Sequence, residues 1–161
     1  VRSTCFNEMN GLDEDFFAHQ EEIDLCWRLK NQGYKIMVQP KSVVYHVGGG
    51  TLNAGSPFKT HLNFRNNLKM LFKNLSLPYL FVVIPIRLLL DALAAITFLK
   101  QKNGLSHFFA IVRAHFAFYF SIPRLIAKRQ KISQKNNLAG KMNWSILAKN
   151  KLTGIKNFSD L

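Results

Sequence analysis

The sequence has little cysteine, and after its first 24 residues it has almost no acidic side chains. Cys5 and Cys26 show no CxxC or Cys/His spacing, which argues against a structural zinc site and against a disulfide scaffold. No secretory signal peptide is recognisable ahead of Gly11, and the chain begins at Val1 without an initiator methionine. We therefore expect a reduced, cytosolic setting and a piece of a longer protein.

Charge is distributed very unevenly along the chain. The formal net charge is +13, yet seven of the nine acidic residues lie in the first 24 residues beside one base, Arg2. From Leu25 onward, 21 lysines and arginines accompany only Asp91 and Asp160. A content of 48% hydrophobic and 19% charged residues lies in the globular range and excludes a wholly disordered chain. The sequence thus predicts an acidic N-terminal part on a basic, apolar body.

The first 56 residues carry the signals of an α/β segment. Apolar residues recur at the spacing of one helix face from about Gln20, and Gly33 is the expected stop of this helix. Acids in its first turn and bases in its last turn suit the helix dipole. Two β-rich runs follow at residues 34–38 and 42–47, and a glycine loop follows them. The predicted order is loop, helix, strand, strand and glycine loop.

From Pro57 the composition changes to that of membrane-associated helices. Residues 59–74 predict a basic surface helix, and residues 77–99 form an apolar run long enough to span a bilayer. A bare arginine at the bilayer centre costs about 2.5–3.5 kcal/mol, and Arg87 in this run can pair with Asp91 at i, i+4. A transmembrane span, a re-entrant or interfacial helix, and packing on a partner therefore remain alternatives.

Residues 105–127 repeat this ambiguity, because an aromatic-rich apolar run contains Arg113. The lysines and arginines that flank both runs suit cytoplasmic flanks and anionic lipid headgroups. Three segments are expected: an α/β part over residues 1–56, mainly α-helical, membrane-associated structure over residues 57–130, and a basic polar tail over residues 131–161.

Three groups of side chains are candidates for chemistry. The run Asp13-Glu14-Asp15 has the D-x-D pattern that holds a divalent cation, although a solvated turn is the commoner origin of such a run. Glu21, Glu22 and Asp24 open the predicted helix, where acids also serve the helix dipole. His46 ends a β-rich run ahead of a loop whose N–H groups can approach a phosphate, Gly48, Gly49, Gly50 and Thr51. A lone histidine at a strand end is more often a half-buried structural residue.

These residues occur in an order that resembles a known family. The runs are Asn10-Gly11-Leu12-Asp13-Glu14-Asp15-Phe16-Phe17, Glu21-Glu22-Ile23-Asp24-Leu25-Cys26-Trp27-Arg28-Leu29, Gly33-Tyr34-Lys35-Ile36, Pro40, and His46-Val47-Gly48-Gly49-Gly50-Thr51. Over about residues 1–56 this series resembles the C-terminal half of the catalytic domain of family 2 glycosyltransferases, and bacterial rhamnosyltransferase-like enzymes of surface polysaccharide synthesis in particular. Members of that family often continue into basic, membrane-associated helices.

The resemblance implies a GT-A fold, with the donor-binding half ahead of Val1, so that the chain alone is expected to be inactive. The implied reaction transfers a sugar, with inversion, from a nucleotide-sugar donor to a glycan or lipid-linked acceptor, with Mg²⁺ or Mn²⁺ in the full-length enzyme. Glu22 matches the general base, which is usually the Asp of a Glu-Asp pair. The remaining implied roles are active-site support by Glu21, Asp24 and Asp15, a metal or diphosphate contact by His46, and a diphosphate loop of Gly48, Gly49, Gly50 and Thr51.

Two other classes of protein fit parts of the sequence. A non-catalytic basic protein that binds a membrane surface or nucleic acid would use the net charge, but it leaves the clustered acids unexplained and lacks a nucleic-acid-binding motif. A structural membrane module would explain the C-terminal hundred residues alone. The expected partners are the donor, the acceptor and an anionic membrane surface at the cytoplasmic face of the inner membrane, and no nucleic acid is expected.

Overall fold

Helices dominate the part of the chain that the structure, a computed structural model, describes: residues 1–45, 53, 55–132 and 154. In chain order they are α1 (Ser3–Glu8), a short 3₁₀ turn (Glu14–Phe16), α2 (Glu21–Asn31), α3 (Pro57–Asn74), α4 (Leu77–Phe98) and α5 (Gly104–Gln130). The four longer helices lie where the sequence predicts helices, with ends that differ by up to three residues.

The predicted α/β fold is wrong. None of the described residues forms a strand; the β-rich run 34–38, and the run 42–47 as far as Tyr45, have no regular structure. The side chains of this segment are solvent-exposed, with Val38 at 88% and Tyr45 at 96%. β-Propensity is realised on a pleated surface that can be packed against, and an isolated pair of strands is marginal in water. The described residues therefore form a mainly α structure and not an α/β fragment.

Local signals set the helix boundaries. Gly33 has a φ of +93°, so the αL conformation that glycine adopts without penalty ends α2. Ser56 caps α3, because its hydroxyl accepts the Lys59 N–H at 3.1 Å, and Pro57 occupies the first turn. The turn between α4 and α5 requires Gly104, since a Cβ there would collide with the Phe98 carbonyl oxygen.

Helices α3, α4 and α5 form a helical layer. The Thr60 hydroxyl lies 2.9 Å from His107 Nδ1 near the starts of α3 and α5, and the rings of Phe72 and Phe118 meet at 5.9 Å further along both helices. α3 and α5 therefore run in the same direction. α4 runs the opposite way, because Phe98 at its end stacks on His107 at 5.1 Å. Both α4 and α5 are long and apolar enough to cross a membrane.

The head, residues 1–33, packs along α3 and also contacts the end of α5 through Asp13 and Asp15. Phe16 is its most buried apolar side chain, at 1% exposure. Contacts with α3 begin at Phe17, whose ring lies 6.2 Å from that of Phe58, and end at Asp24, which accepts a 2.7 Å hydrogen bond from Asn74. The head thus lies along nearly the whole length of α3.

Candidate functional site

The carboxylate pair Glu21 and Glu22 begins α2. Glu22 is exposed, and Glu21 is half-buried. One carboxylate oxygen of Glu21, Oε2, is buried and has no hydrogen-bond partner among the described residues. Buried polar atoms are normally satisfied, so this oxygen is available to accept a hydrogen bond from a bound molecule.

The backbone ahead of this pair is strained. Phe17, His19 and Gln20 have φ values of +65°, +70° and +77°, a region that side-chain-bearing residues rarely adopt. Phe17 has a ψ of −56° and is the centre of a γ-turn, in which the Ala18 N–H donates to the Phe16 carbonyl at 2.8 Å. Such residues cost of order 1–3 kcal/mol each and cluster at functional sites.

Asn66 of α3 holds this strained segment in place. Its side chain is fully buried, and its amide nitrogen lies 2.8, 2.8 and 2.9 Å from the carbonyl oxygens of Phe16, Ala18 and His19. Arg65 donates a further hydrogen bond to the Phe16 carbonyl at 3.0 Å. The segment that presents Glu21 and Glu22 is therefore fixed by α3, although neither glutamate contributes to the clamp itself.

Asp24 is buried completely and contacts protein donors through both oxygens. Its Oδ2 accepts hydrogen bonds from Arg28 at 2.8 Å and Lys73 at 2.7 Å, and its Oδ1 accepts one from Asn74 at 2.7 Å. Arg28 continues to the Gly11 carbonyl at 2.8 Å and to the Met9 carbonyl. The structure thus places Asp24 at the junction of α2 with α3, and away from the surface where Glu22 lies.

The D-x-D run is ion-paired. Asp13 lies 2.6 Å from Lys73 and also pairs with Lys128, while Asp15 lies 2.9 Å from Arg124 and 2.6 Å from Lys128. Burial alone would raise the pKa of Asp13, but hydrogen bonds from Lys128 and Lys73 outweigh it and lower that pKa to about 2. Asp13 and Asp15 therefore attach the head to α3 and α5.

A cleft of about 440 Å³ opens beside this junction. The loop from Asn10 to Asp15 forms one wall, and the end of α5 with Arg124, Lys128 and Lys131 forms the other. These cations were not among the residues predicted for the site. Their signal was present, because positions 124, 128 and 131 have the i, i+4, i+7 spacing that places side chains on one helix face.

The predicted metal and diphosphate residues cannot be placed. His46, Gly48, Gly49, Gly50 and Thr51 lie outside the described residues. Within the described part, no three His, Cys, Asp or Glu side chains come together as a metal site.

Comparisons with known proteins give no family assignment. No protein-family model, curated protein or solved structure matches this chain. The basis for a function is therefore the order of the residues in the sequence and the geometry around Glu22.

Proposed function

We propose that this chain is the acceptor-side part of an inverting family 2 glycosyltransferase, with Glu22 as the general base. The single observation that carries the proposal is the presentation of Glu22. It is an exposed carboxylate at the start of a helix, directly after a left-handed backbone segment that Asn66 clamps. The family resemblance of the surrounding runs supports the same role.

The proposed reaction explains the need for a free carboxylate. A sugar hydroxyl is a poor nucleophile, so a carboxylate within hydrogen-bond reach takes its proton as the oxygen attacks C1 of the donor sugar. The new C1–O bond forms as the bond from C1 to the nucleotide diphosphate breaks, and C1 is inverted. Glu22 suits this step because it is exposed, whereas Asp24 is already bound by three donors. Mg²⁺ or Mn²⁺ remains an expectation for the full-length enzyme.

The helical layer supports a membrane location for this chemistry. Two long apolar helices adjoin a head that carries the carboxylate pair, an arrangement suited to an acceptor glycan linked to a lipid. We place the protein at the cytoplasmic face of the inner membrane, where nucleotide-sugar donors are present. A non-catalytic protein of the membrane surface is the second candidate, favoured by the exposed apolar side chains of α4 and α5.

Sugar transfer by the longer parent protein tests the proposal. Incubation with nucleotide-sugar donors, lipid-linked acceptor and Mg²⁺ or Mn²⁺ should give a glycosylated acceptor. Loss of a general base typically costs about 10²–10⁴-fold in rate, so we expect Glu22→Ala to lower kcat by that factor. Glu14→Ala, at an exposed acid of the same head, is the matched control and should retain the rate. Unchanged transfer by Glu22→Ala would remove Glu22 from the role, and a parent that binds membranes without transfer would favour the second candidate.

A further inference from the structure

The charged and apolar side chains of α4 are distributed in the opposite way to those of a surface helix in a soluble protein. Its charged residues face inward: Arg87 Nε lies 2.6 Å from Asp91 Oδ1, and His115 of α5 lies 3.2 Å from Asp91 Oδ2. Asp91 is only 1% exposed. The outward side of α4, which the structure describes in full, carries no charged residue, and its large side chains include Phe81, Val82, Ile86, Leu89, Leu93 and Ile96.

This distribution of side chains is the one expected for a helix that contacts lipid. A surface helix of a soluble protein buries its apolar stripe and exposes its charges. In a bilayer, ionisable side chains face the bundle interior and pair with one another, as Arg87 and Asp91 do here. The outward face of α4 therefore favours hydrocarbon over water as its surroundings.

Helix α5 also exposes large aromatic side chains and supplies a basic edge. Phe109, Phe116 and Phe120 are exposed at 59%, 58% and 85%. Arg113 is exposed on the same side of α5, and the length of its side chain allows the guanidinium to reach the headgroups. The cations at its end lie toward the head, where Arg124 and Lys128 bind Asp15. Aromatic side chains beside a basic edge are typical of helices that lie at the boundary between headgroups and acyl chains.

The position of the head excludes a simple crossing for this arrangement. α3 has 18 residues, about 27 Å at 1.5 Å per residue, and the hydrocarbon core of a bilayer is about 30 Å thick. Because α3 runs beside α4 and α5 and carries the head along its length, upright helices would bring α3 and the head to the depth of the hydrocarbon. The exposed Glu8, Glu14 and Glu22 would be brought there too, and charged side chains at that depth are costly.

We propose that α4 and α5 lie in the plane of one leaflet, with the outward apolar face among the acyl chains and the head in water. Neither helix crosses the membrane, and the occupant of the apolar face is lipid. This inference rests on the membrane location in the proposed function but not on the transfer chemistry. Its tests therefore measure binding and accessibility, and they can fail while Glu22 remains the base.

The loop between α4 and α5 distinguishes the two orientations. In the in-plane arrangement the loop lies on the same side of the membrane as the head, whereas two crossing helices would place it on the opposite side. Gln101→Cys in a Cys5→Ser, Cys26→Ser background reports on the loop, and native Cys26, which is exposed, reports on the head in Cys5→Ser.

The chain is bound to sealed phosphatidylglycerol-containing vesicles and treated from outside with a membrane-impermeant maleimide, with detergent-opened vesicles giving total labelling. We expect the loop and head cysteines to reach the same labelled fraction within about twofold, since both face the outer solution. Protection of the loop cysteine alone until detergent is added would overturn the in-plane arrangement. Failure of the chain to float with vesicles would overturn lipid as the occupant.

A matched pair of variants tests the face itself. Leu89→Glu places one negative charge on the outward face of α4, and Asn7→Glu adds the same charge to an exposed position of the head. A charged side chain among acyl chains is unfavourable, so we expect Leu89→Glu to lower the vesicle partition constant by at least about tenfold. Asn7→Glu should change it by less than about twofold.

Circular dichroism checks that the variants remain helical, and Phe120→Glu on α5 serves as a second variant if Leu89→Glu does not fold. Equal flotation of the α4 or α5 variant and Asn7→Glu would contradict the proposal. Formation of oligomers that bury the face without vesicle binding would identify a second copy as the occupant and would also overturn it.

Discussion

Glu8, Glu14 and Glu22 of the head are exposed, whereas Asp91, the acidic residue of α4, is buried and the exposed large side chains of α4 are apolar. Glu22 of the head faces solvent, whereas Asp91 of α4 is buried against Arg87. In the membrane arrangement that we propose, the head lies in water and the layer contacts lipid. The proposed function would use this difference by keeping Glu22 in water next to a membrane surface.

The two parts meet along α3, which has two different sides. Asn66 and Lys73 face the head and donate hydrogen bonds to it, and Leu68 and Phe72 belong to the apolar cluster shared with α4 and α5. Helical geometry separates these two sets by roughly half a turn. Substitutions in α3 should therefore disturb the contact between the head and the helical layer most strongly.

Removal of Lys73 should have the largest effect on the junction. Lys73 Nζ lies 2.6 Å from Asp13 and 2.7 Å from Asp24, so Lys73→Met leaves both largely buried carboxylates without this cation. Removing one partner of a buried ion pair costs about 3–5 kcal/mol, and we expect the free energy of unfolding to fall by about that amount. Urea unfolding followed by tryptophan fluorescence measures the change.

A Trp144→Phe background restricts the fluorescence signal to Trp27 of α2, within the head. Lys102→Met, in the exposed turn between α4 and α5, is the control and should change the free energy by less than about 0.5 kcal/mol. If Lys73→Met and Lys102→Met lowered the free energy of unfolding equally, the ion pairs of Lys73 would not stabilise the junction.

Asn66→Ala should have the next largest effect, because it releases the strained segment ahead of Glu22. The carbonyl oxygens of Ala18 and His19 lose the Asn66 donor, while that of Phe16 keeps Arg65, and an unsatisfied buried group costs about 1–3 kcal/mol. In the parent enzyme we expect kcat to fall by about 10-fold or more with KM nearly unchanged, since a misplaced base affects the chemical step. Asn67→Ala, the neighbouring half-buried asparagine, should retain kcat; a common loss in both would contradict a positioning role for Asn66.

Acid should weaken the contact of the head with the layer. The pKa of Asp13 is about 2 in the folded protein, below its ordinary value of 3.8. A carboxylate with a lowered pKa stabilises the fold fully above its unfolded pKa, and the contribution is lost as pH falls through the folded value. The stability measured by Trp27 fluorescence should therefore decline between about pH 4 and about pH 2. Asp13→Asn should flatten this decline, and an unchanged pH dependence would argue against the pairing.

Phe120→Ser should have the smallest effect on stability. The ring is 85% exposed, and surface substitutions usually change the free energy of unfolding by less than about 0.5 kcal/mol. Phe118, two positions earlier, gives the contrast, since Phe118→Ala removes a side chain that is 1% exposed and should cost about 3–5 kcal/mol. Urea unfolding measures both variants. Equal losses would show that the face of α5 that carries Phe120 is packed in solution.

Local patterns in the sequence predicted the local parts of the structure. The helices over residues 59–74, 77–99 and 105–127 are observed, and Arg87 and Asp91 form the i, i+4 pair that their spacing suggests. These features depend on contacts within one or two helix turns. The prediction of strands was wrong because β-structure depends on a partner surface that the β-rich residues themselves do not supply.

The contacts that hold the candidate site in place could not be predicted, because they join residues far apart in the sequence. Asp24 and Lys73 are 49 positions apart, and the clamp between Asn66 and Phe16 spans 50. Sequence spacing marked Glu22 and Asp24 as one acidic group. The three-dimensional arrangement separates them into an exposed carboxylate and a buried anchor.

The most direct test of Glu22 as the base compares Glu22→Asp with Glu22→Gln in the parent enzyme. Aspartate keeps the carboxylate and restores the residue usual in the resembled family, whereas glutamine keeps the shape and cannot accept the proton. We expect Glu22→Asp to retain kcat for sugar transfer within about tenfold and Glu22→Gln to lose about 10²–10⁴-fold. Equal kcat values for the two variants would contradict the assignment of Glu22 as the base.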